Sequence, residues 1–509
     1  MLQIKNLTIN HQKDFRPLVN NLSISIQSGD KVAIIGEEGN GKSSLLKLIM
    51  DPKLVQDFLH FEGEVLRDYS SYAYLPQNLS VEKAEQTLCD FFFGDPDLNL
   101  DYQVLYTLAD QLAFDSQRFA SDQELSSLSG GEKLKVQLIK ILAQDSQILF
   151  LDEPSNDLDI DTLLWLENYI ATSPKTILFV SHDEWLLAQT ANKIIHLESV
   201  KKKSLAQTSV QTADYQTYRS EREQTYQKQV QQARNDRKEF DKTLTKHLRQ
   251  KSQVRHALLE AHDATLGRLI AKKMKNVLSR EKRFEKMKEN LTPIPYYEDG
   301  LNLDFTCIQP LPAQKKIIIL DHFQLKQENH VLAEPVNLLV RGQEKIGIIG
   351  PNGIGKSSLI QAILSKINTP ELKIGYMPQD YQHLLDSNQT PLSFLNPSGD
   401  QDRHHLVLSR LASLQFTRQE VHHAIQHLSG GQKAKLLLLK MVLDQANFLL
   451  LDEPTRNFSP TSQPRIRQLF ADYPGGLICV SHDRHFLNTV CHKIYKLTTK
   501  GLIDYQQTE

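Results

Sequence analysis

The 509-residue sequence lacks several features that would place it in a function class at once. It has no long apolar run. Stretches such as Ile148 to Leu151 and Leu436 to Leu439 fall far short of the ~20 residues of a membrane-spanning helix. Its opening, MLQIKNLTIN, shows no charged segment followed by an apolar core, so no secretory signal is expected. Its four cysteines (Cys89, Cys307, Cys479 and Cys491) form no CxxC pair. That argues against a zinc site of the usual spacing and for reduced thiols in a cytoplasmic protein. The net charge of −2 by itself points to no nucleic-acid partner. At 40% hydrophobic and 24% charged residues, the chain is still ordinary globular material, and its length allows about three to four domains.

The dominant positive feature is a repeat. KVAIIGEEGNGKSSLLKLI (31–49) is answered by EKIGIIGPNGIGKSSLIQAI (344–363), and YLPQ (74–77) by YMPQ (376–379). LSGGEK (128–133), ILFLDEP (148–154) and VSHD (180–183) are answered 300 residues later by LSGGQK, FLLLDEP and VSHD. Two homologous domains of about two hundred residues are expected. β-Branched runs followed by helical patterns predict α/β domains on largely parallel sheets.

Each motif carries chemistry. Gly36-x4-Gly41-Lys42-Ser43 and Gly350-x4-Gly355-Lys356-Ser357 are phosphate loops, each after a predicted strand and before a predicted helix. Gly39, Asn40 and Ser44 complete the first loop, and Asn352, Gly353 and Ser358 the second. Their backbone N–H groups and the helix N-terminus cradle phosphates, the lysine reaches the β/γ-phosphates, and the serine hydroxyl meets Mg²⁺. Asp152 and Asp452 end apolar strands and can hold Mg²⁺, while Glu153 and Glu453 follow as candidate general bases. His182 and His482 end a further strand and are expected at the γ-phosphate. Ser129-Gly130-Gly131 and Ser429-Gly430-Gly431 each open a Lys-bearing apolar helix, a second anion-binding end per domain. One nucleotide needs only one cradle, so a γ-phosphate shared across a domain interface is expected.

This ordered set, occurring twice, resembles the ATP-binding cassette superfamily. Two cassettes on one chain with a charged linker resemble its ABC-F branch. The resemblance implies two P-loop cassettes joined by an antiparallel α-helical coiled-coil hairpin, with boundaries at 1–205, 206–295 and 296–509. It implies an ATPase using ATP and Mg²⁺, with Gln77 and Gln379 joining the nucleotide and metal sites. The pairing is intramolecular and head-to-tail, within a monomer. Site one joins Lys42, Ser43, Gln77, Asp152, Glu153 and His182 to Ser429–Gly431, and site two joins their counterparts to Ser129–Gly131. The loop SNDLD (155–159) follows the family pattern, whereas TRNFSP (455–460) has Ser459 where the first copy has Asp159. Because each such loop lines the opposite site in the family, site one is expected to hydrolyse more slowly. The positions aligned with the family's adenine-stacking aromatic are His11 and Gln327, with Phe15 a rival, which leaves base preference open.

The linker carries the charge asymmetry. Asp214 to Asn290 holds 20 Lys/Arg and 11 Asp/Glu, net +9, leaving −11 for the rest of the chain. The spacing of Tyr215, Tyr218, Tyr226, Val230, Ala233, Phe240, Leu244 and Leu248 predicts one helix from about Tyr215 to Arg255, and a second is predicted from about Arg268 to Leu291, with a turn over 252–267. Between Leu244 and Lys288 there are 13 basic and four acidic residues. Arg249, Lys251, Arg255, Arg268, Lys272, Lys273 and Lys275 are the candidate RNA-phosphate contacts. No base-reading motif accompanies them, so shape and phosphate recognition of folded RNA is expected. Apolar residues near the turn (Val254, Leu258 and Leu259) either close the hairpin or meet a partner. The ABC-F resemblance implies the ribosome as partner, both rRNA and P-site tRNA, with the hairpin near the tRNA exit site and the peptidyl-transferase centre. The 12 extra residues of the first copy, around 51–70, resemble a shortened or absent arm. Together with the long linker this resembles the antibiotic-resistance branch. A drug-independent translation factor, and a DNA-associated or transporter-associated ATPase, remain as alternatives.

Overall fold

The computed structural model describes residues 2–95, 98–200, 205–259, 272–279, 284, 287–288, 291, 303, 305, 308–327, 330–367, 371–381, 384–385 and 388–505. The chain divides into two compact units, Met1–Tyr215 with Glu298–Glu509, and Gln216–Tyr297.

The first unit holds both cassettes, each built on a six-stranded sheet. In the first cassette the order is Tyr72–Leu75, Ile148–Asp152, Thr176–Val180, Lys31–Gly36, Lys193–Val200 and Leu205–Gln211. The first five strands pair in parallel and the last is antiparallel. The second cassette repeats this with Ile374–Met377, Phe448–Asp452, Gly476–Val480, Lys345–Ile349, Lys493–Thr498 and Gly501–Asp504. The central strands KVAIIG, ILFLD and TILFV are buried along their whole length. Such continuous apolar runs are what a parallel sheet covered on both faces requires. An α/β fold with two tandem cassettes is therefore observed, as expected.

An antiparallel sheet covers part of each core. In the first cassette its order is Pro17–Ile26, Leu2–His11 and Leu59–Arg67, and Leu2, Ile4, Leu7 and Ile9 are buried beneath it. The 12 extra residues of the first copy lie here. They form the short turn Pro52–Leu54 and the strand Leu59–Arg67 paired along Leu2–His11, and no helical arm projects from them. In the second cassette the described strands of this layer are Lys316–Gln327 and His330–Arg341.

The second unit contains most of one 45-residue helix, Tyr215–Leu259, about 65 Å long at ~1.5 Å per residue. It runs four residues past the expected end at Arg255. Its less exposed positions (222, 226, 230, 233, 236, 240, 244, 247, 251 and 254) advance by threes and fours, the seam of a coiled coil. Residues 272–279 are helical again. The Phe284 ring meets Phe240 at 6.1 Å and His247 at 4.9 Å, one heptad apart on the long helix. A residue nearly forty positions downstream can reach that face only if the chain has turned back, so the linker is a hairpin. The seam corrects one expectation: His247 is buried where Leu248 was expected, and Leu248 is 52% exposed. Lys272, Lys273, Lys275, Arg249 and Arg255 are exposed and Lys251 partly so, whereas Arg268 lies outside the described residues.

Candidate active sites between the cassettes

Every catalytic motif sits at the C-terminal edge of a parallel sheet. Gly36 ends one strand and starts the phosphate loop, Asp152 ends the next, and Ser181-His182 follow Val180. Open α/β sheets bind ligands at this edge. Gly41 caps the helix Lys42–Met50 at φ 86° without any side-chain cap, and Gly355 does the same at φ 96° for Lys356–Lys366. A left-handed cap admits glycine freely, and the missing side-chain acceptor leaves the first-turn N–H groups for an anion. The signature helices begin differently. Ser129 accepts from the Glu132 N–H and Ser429 from the Gln432 N–H, in reciprocal capping boxes.

The candidate catalytic groups lie close to one another. Ser43 Oγ lies 3.0 Å from Asp152 Oδ1, and burial pushes the Asp452 carboxyl up, against the nearby Ser357 hydroxyl, which favours its charged form. Burial pushes the Asp152 carboxyl up to about 6, against the Ser43 hydroxyl that favours its charge. Lys42 Nζ donates to the Gly36 and Glu37 carbonyls, and Lys356 Nζ to those of Gly350 and Pro351. These lysines are folded into their own loops, within reach of the phosphate position. Glu153 and Glu453 adopt left-handed backbones, φ 55° and 51°, and their N–H groups bond the Val180 and Val480 carbonyls. Both glutamates thus share a backbone conformation that is uncommon for a non-glycine residue.

The two histidines are held differently. His182 Nε2 is 3.0 Å from Glu153, and its Nδ1 is 3.1 Å from the Phe458 carbonyl of the other cassette. Burial, the largest influence, would raise Glu153, but the facing His182 and Lys42 together outweigh it and hold the carboxyl low. His482 Nε2 stands 3.7 Å from Glu453, with no hydrogen bond at its buried Nδ1. Burial, then Lys356, push His482 down to about 3, and burial, then Asp452, push Glu453 up.

The cassettes meet head to tail. A cleft of about 970 Å³ is lined by Lys356, Ser357, Ser358, Gly353, Gly355, Asn352, Gln379, Asp452, Glu453 and His482 of one cassette and by Ser129, Gly130 and Gly131 of the other. This is the grouping expected for site two, and Gln327 lines it too. A Cβ on Gly131 would lie 2.9 Å from the Asp157 carbonyl oxygen and would also meet the Asn352 amide, so a side chain there would force the backbone to shift. At site one, Gly431 N–H donates to Glu38 Oε2 at 3.0 Å, which places Ser429–Gly431 against the first phosphate loop.

Not every candidate faces the nucleotide position. Asn40 is buried; its side-chain amide donates to the Leu197 carbonyl at 3.0 Å and its backbone N–H to the Glu37 carbonyl at 3.3 Å. Gln77 is exposed, and Gln379 reaches across to Asp157 at 3.4 Å. Phe15 is 78% exposed at φ 52°, beside Arg16, which donates to the Gly39 carbonyl. His11 pairs with Asp14 at 2.6 Å.

Several interface residues were not foreseen. Asp157 pairs with Arg456 at 2.9 Å, and its carbonyl accepts from Asn352. Gln463 donates to the His182 carbonyl at 2.8 Å. Glu37 and Glu38 of the first loop both reach the second cassette. The available signal was the difference between copies: EEGNG against PNGIG, and SNDLD against TRNFS.

These features define a class: paired P-loop nucleotide-binding cassettes in which each domain completes the other's site. The chain belongs to the ATP-binding cassette family, whose model, described as ABC transporter, matches residues 19–156 and 333–456. A ribosome protection protein, VmlR of Bacillus subtilis, is 27% identical over 99% of this chain and 88% of its own. ABC transporter F family member 5 of Arabidopsis thaliana is 26% identical over 94% of this chain and 72% of its own. In fold, the chain resembles the archaeal ribosome recycling factor aABCE1, solved with a ribosomal stalk protein, at TM-score 0.59 and 17% identity over 98% of this chain and 89% of that one. It is an ATPase built on two ATP-binding cassettes. Among the described residues no helix is long and apolar enough to cross a membrane.

Proposed function

We propose that this ATPase works on the ribosome: ATP draws the cassettes together, the linker hairpin enters near the tRNA exit site and the peptidyl-transferase centre, and hydrolysis releases the protein. In this reading it is a cytoplasmic monomer that meets rRNA and P-site tRNA and protects the ribosome from antibiotics. The observation that carries it is the basic hairpin, which in sequence follows a strongly acidic first cassette and precedes a near-neutral second one, in a chain that aligns over 99% of its length with a ribosome protection protein. Its domains are 1–205, 206–295 and 296–509.

The residues have separate tasks in each site. The first-turn N–H groups of Lys42–Met50 and Lys356–Lys366, with Lys42 and Lys356, bind the phosphates. Ser129–Gly131 and Ser429–Gly431 close on the γ-phosphate from the opposite cassette. Glu153 and Glu453 take the proton of the attacking water, and His182 and His482 orient the γ-phosphate. The donor set fits Mg²⁺: Ser43 with Asp152, and Ser357 with Asp452, are hard oxygen pairs with Gln77 and Gln379 on neighbouring loops. When bound there, Mg²⁺ neutralises phosphate charge.

Ribosome co-sedimentation of the Glu153→Gln/Glu453→Gln double variant tests the proposal. With ATP the variant should pellet with ribosomes and, in the same tubes, release a peptidyl-transferase drug. Pelleting without drug release would leave a drug-independent translation factor. No pelleting at low salt would reject the ribosome as target.

A further inference from the structure

The two phosphate loops differ where they face the opposing signature helix. In site two the facing residue is Asn352, which is uncharged and donates to the Asp157 carbonyl. In site one it is Glu38. Its carboxylate accepts from the Gly431 N–H at 3.0 Å, and a Cβ on Gly430 would lie 2.9 Å from the same oxygen. Glu37 next to it pairs with Lys435, on the first two turns of that helix, at 3.4 Å. The loop is thus tied to the helix Gly430–Leu443 twice, and the helix N-terminus faces an anion supplied by the protein itself.

This deepens the ATPase reading, in which the same N–H groups receive the γ-phosphate. We propose that Glu38 is the specificity-determining residue of site one, an internal carboxylate that competes with the γ-phosphate for the signature helix. An N–H group has one proton to donate, and two anions packed at one helix end repel each other. ATP must therefore displace Glu38. ADP ends at the β-phosphate, within the first phosphate loop, and leaves the Glu38–Gly431 bond intact. Site one then discriminates less between ATP and ADP than site two, where Asn352 offers no such competitor.

The test measures binding of fluorescent ATP and ADP to the full-length chain carrying Lys356→Ala, which confines tight binding to site one. Adding Glu38→Asn, or the isosteric Glu38→Gln, should tighten ATP about tenfold, roughly 1.4 kcal/mol, and shift ADP by less than about twofold. The reciprocal Asn352→Glu, in a Lys42→Ala chain, should weaken ATP relative to ADP. Equal shifts for both nucleotides, or none, would overturn the proposal, because a merely structural role moves both alike. Loss of all binding in Lys356→Ala while the wild type still binds would also overturn it. Failure of the wild type to bind ATP would instead reject the nucleotide reading itself.

Discussion

Arg467 of the second cassette and Glu184 of the first form a buried ion pair across the cassette interface at 2.8 Å, with side chains 7% and 2% exposed. Asp483 stands 3.9 Å from the same guanidinium. Two charges taken out of water depend on each other, because either one left alone keeps its desolvation cost without its partner. Arg467→Ala should therefore destabilise the folded chain by about 3–5 kcal/mol. The double variant Arg467→Met/Glu184→Leu, which removes both charges and keeps the volume, should recover most of that loss. Urea unfolding of the single and double variants checks both values, and an Arg467→Ala midpoint equal to wild type would reject the interface role.

A second cross-cassette pair behaves differently with pH. Glu167 bonds Arg484, whose guanidinium also lies 4.5 Å over the Trp185 ring. Burial pushes the Glu167 carboxyl from 4.5 up to about 7, and Arg484 offsets this only in part. A carboxyl raised by folding binds its proton more tightly in the folded chain, so stability falls as pH rises between the two values. The contribution is fully present below about pH 4.5 and lost as pH climbs through about 7. Glu167→Gln removes this titration. Wild type should lose stability relative to the variant between about pH 5 and pH 8, and a constant difference across that range would count against the account.

Much of this was legible in the sequence because phosphate chemistry demands particular residues at fixed spacings. The loops around Lys42 and Lys356, the acidic pairs after strands Ile148–Asp152 and Phe448–Asp452, and the signature glycines were all placed by pattern alone. The hairpin was legible because a coiled-coil seam writes a period of threes and fours into the chain. His247 escaped notice because a ring can fill a seam position that an apolar pattern assigns to its neighbour Leu248. Arg467, Glu184, Asp157 and Glu38 escaped because ion pairing across an interface has no sequence period. Their partners lie roughly 280 to 400 positions away, and only the folded pair brings them together.

The unlike loops SNDLD (155–159) and TRNFSP (455–460) give a kinetic prediction. At site one His182 is held by Glu153 and by the Phe458 carbonyl of the loop TRNFSP, whose Ser459 bonds Ser462 within its own segment at 2.7 Å. At site two the opposing loop supplies Asp157, which reaches Gln379 and Asn352. The loop facing site two thus presents a carboxylate to the opposing Gln379, whereas TRNFSP presents His182 with a backbone carbonyl. Glu453→Gln, which leaves only site one, should lower steady-state ATPase about tenfold or more, whereas Glu153→Gln should retain most of it. Equal residual rates would remove the asymmetry.

The hairpin makes the last prediction, on salt. Lys272, Lys273 and Lys275 are exposed on the helical stretch 272–279. Each cation that neutralises an RNA phosphate releases a condensed counterion, so affinity falls with the logarithm of salt concentration in proportion to the number of contacts. Reversing all three charges to Glu should reduce that slope by about one unit per lost contact and weaken ribosome binding at low salt. ATPase activity without ribosomes should stay at the wild-type level, since these lysines carry no part of either nucleotide site. A variant that pellets with ribosomes as tightly as wild type, at every salt concentration, would show that this charge serves only to solvate the coiled coil.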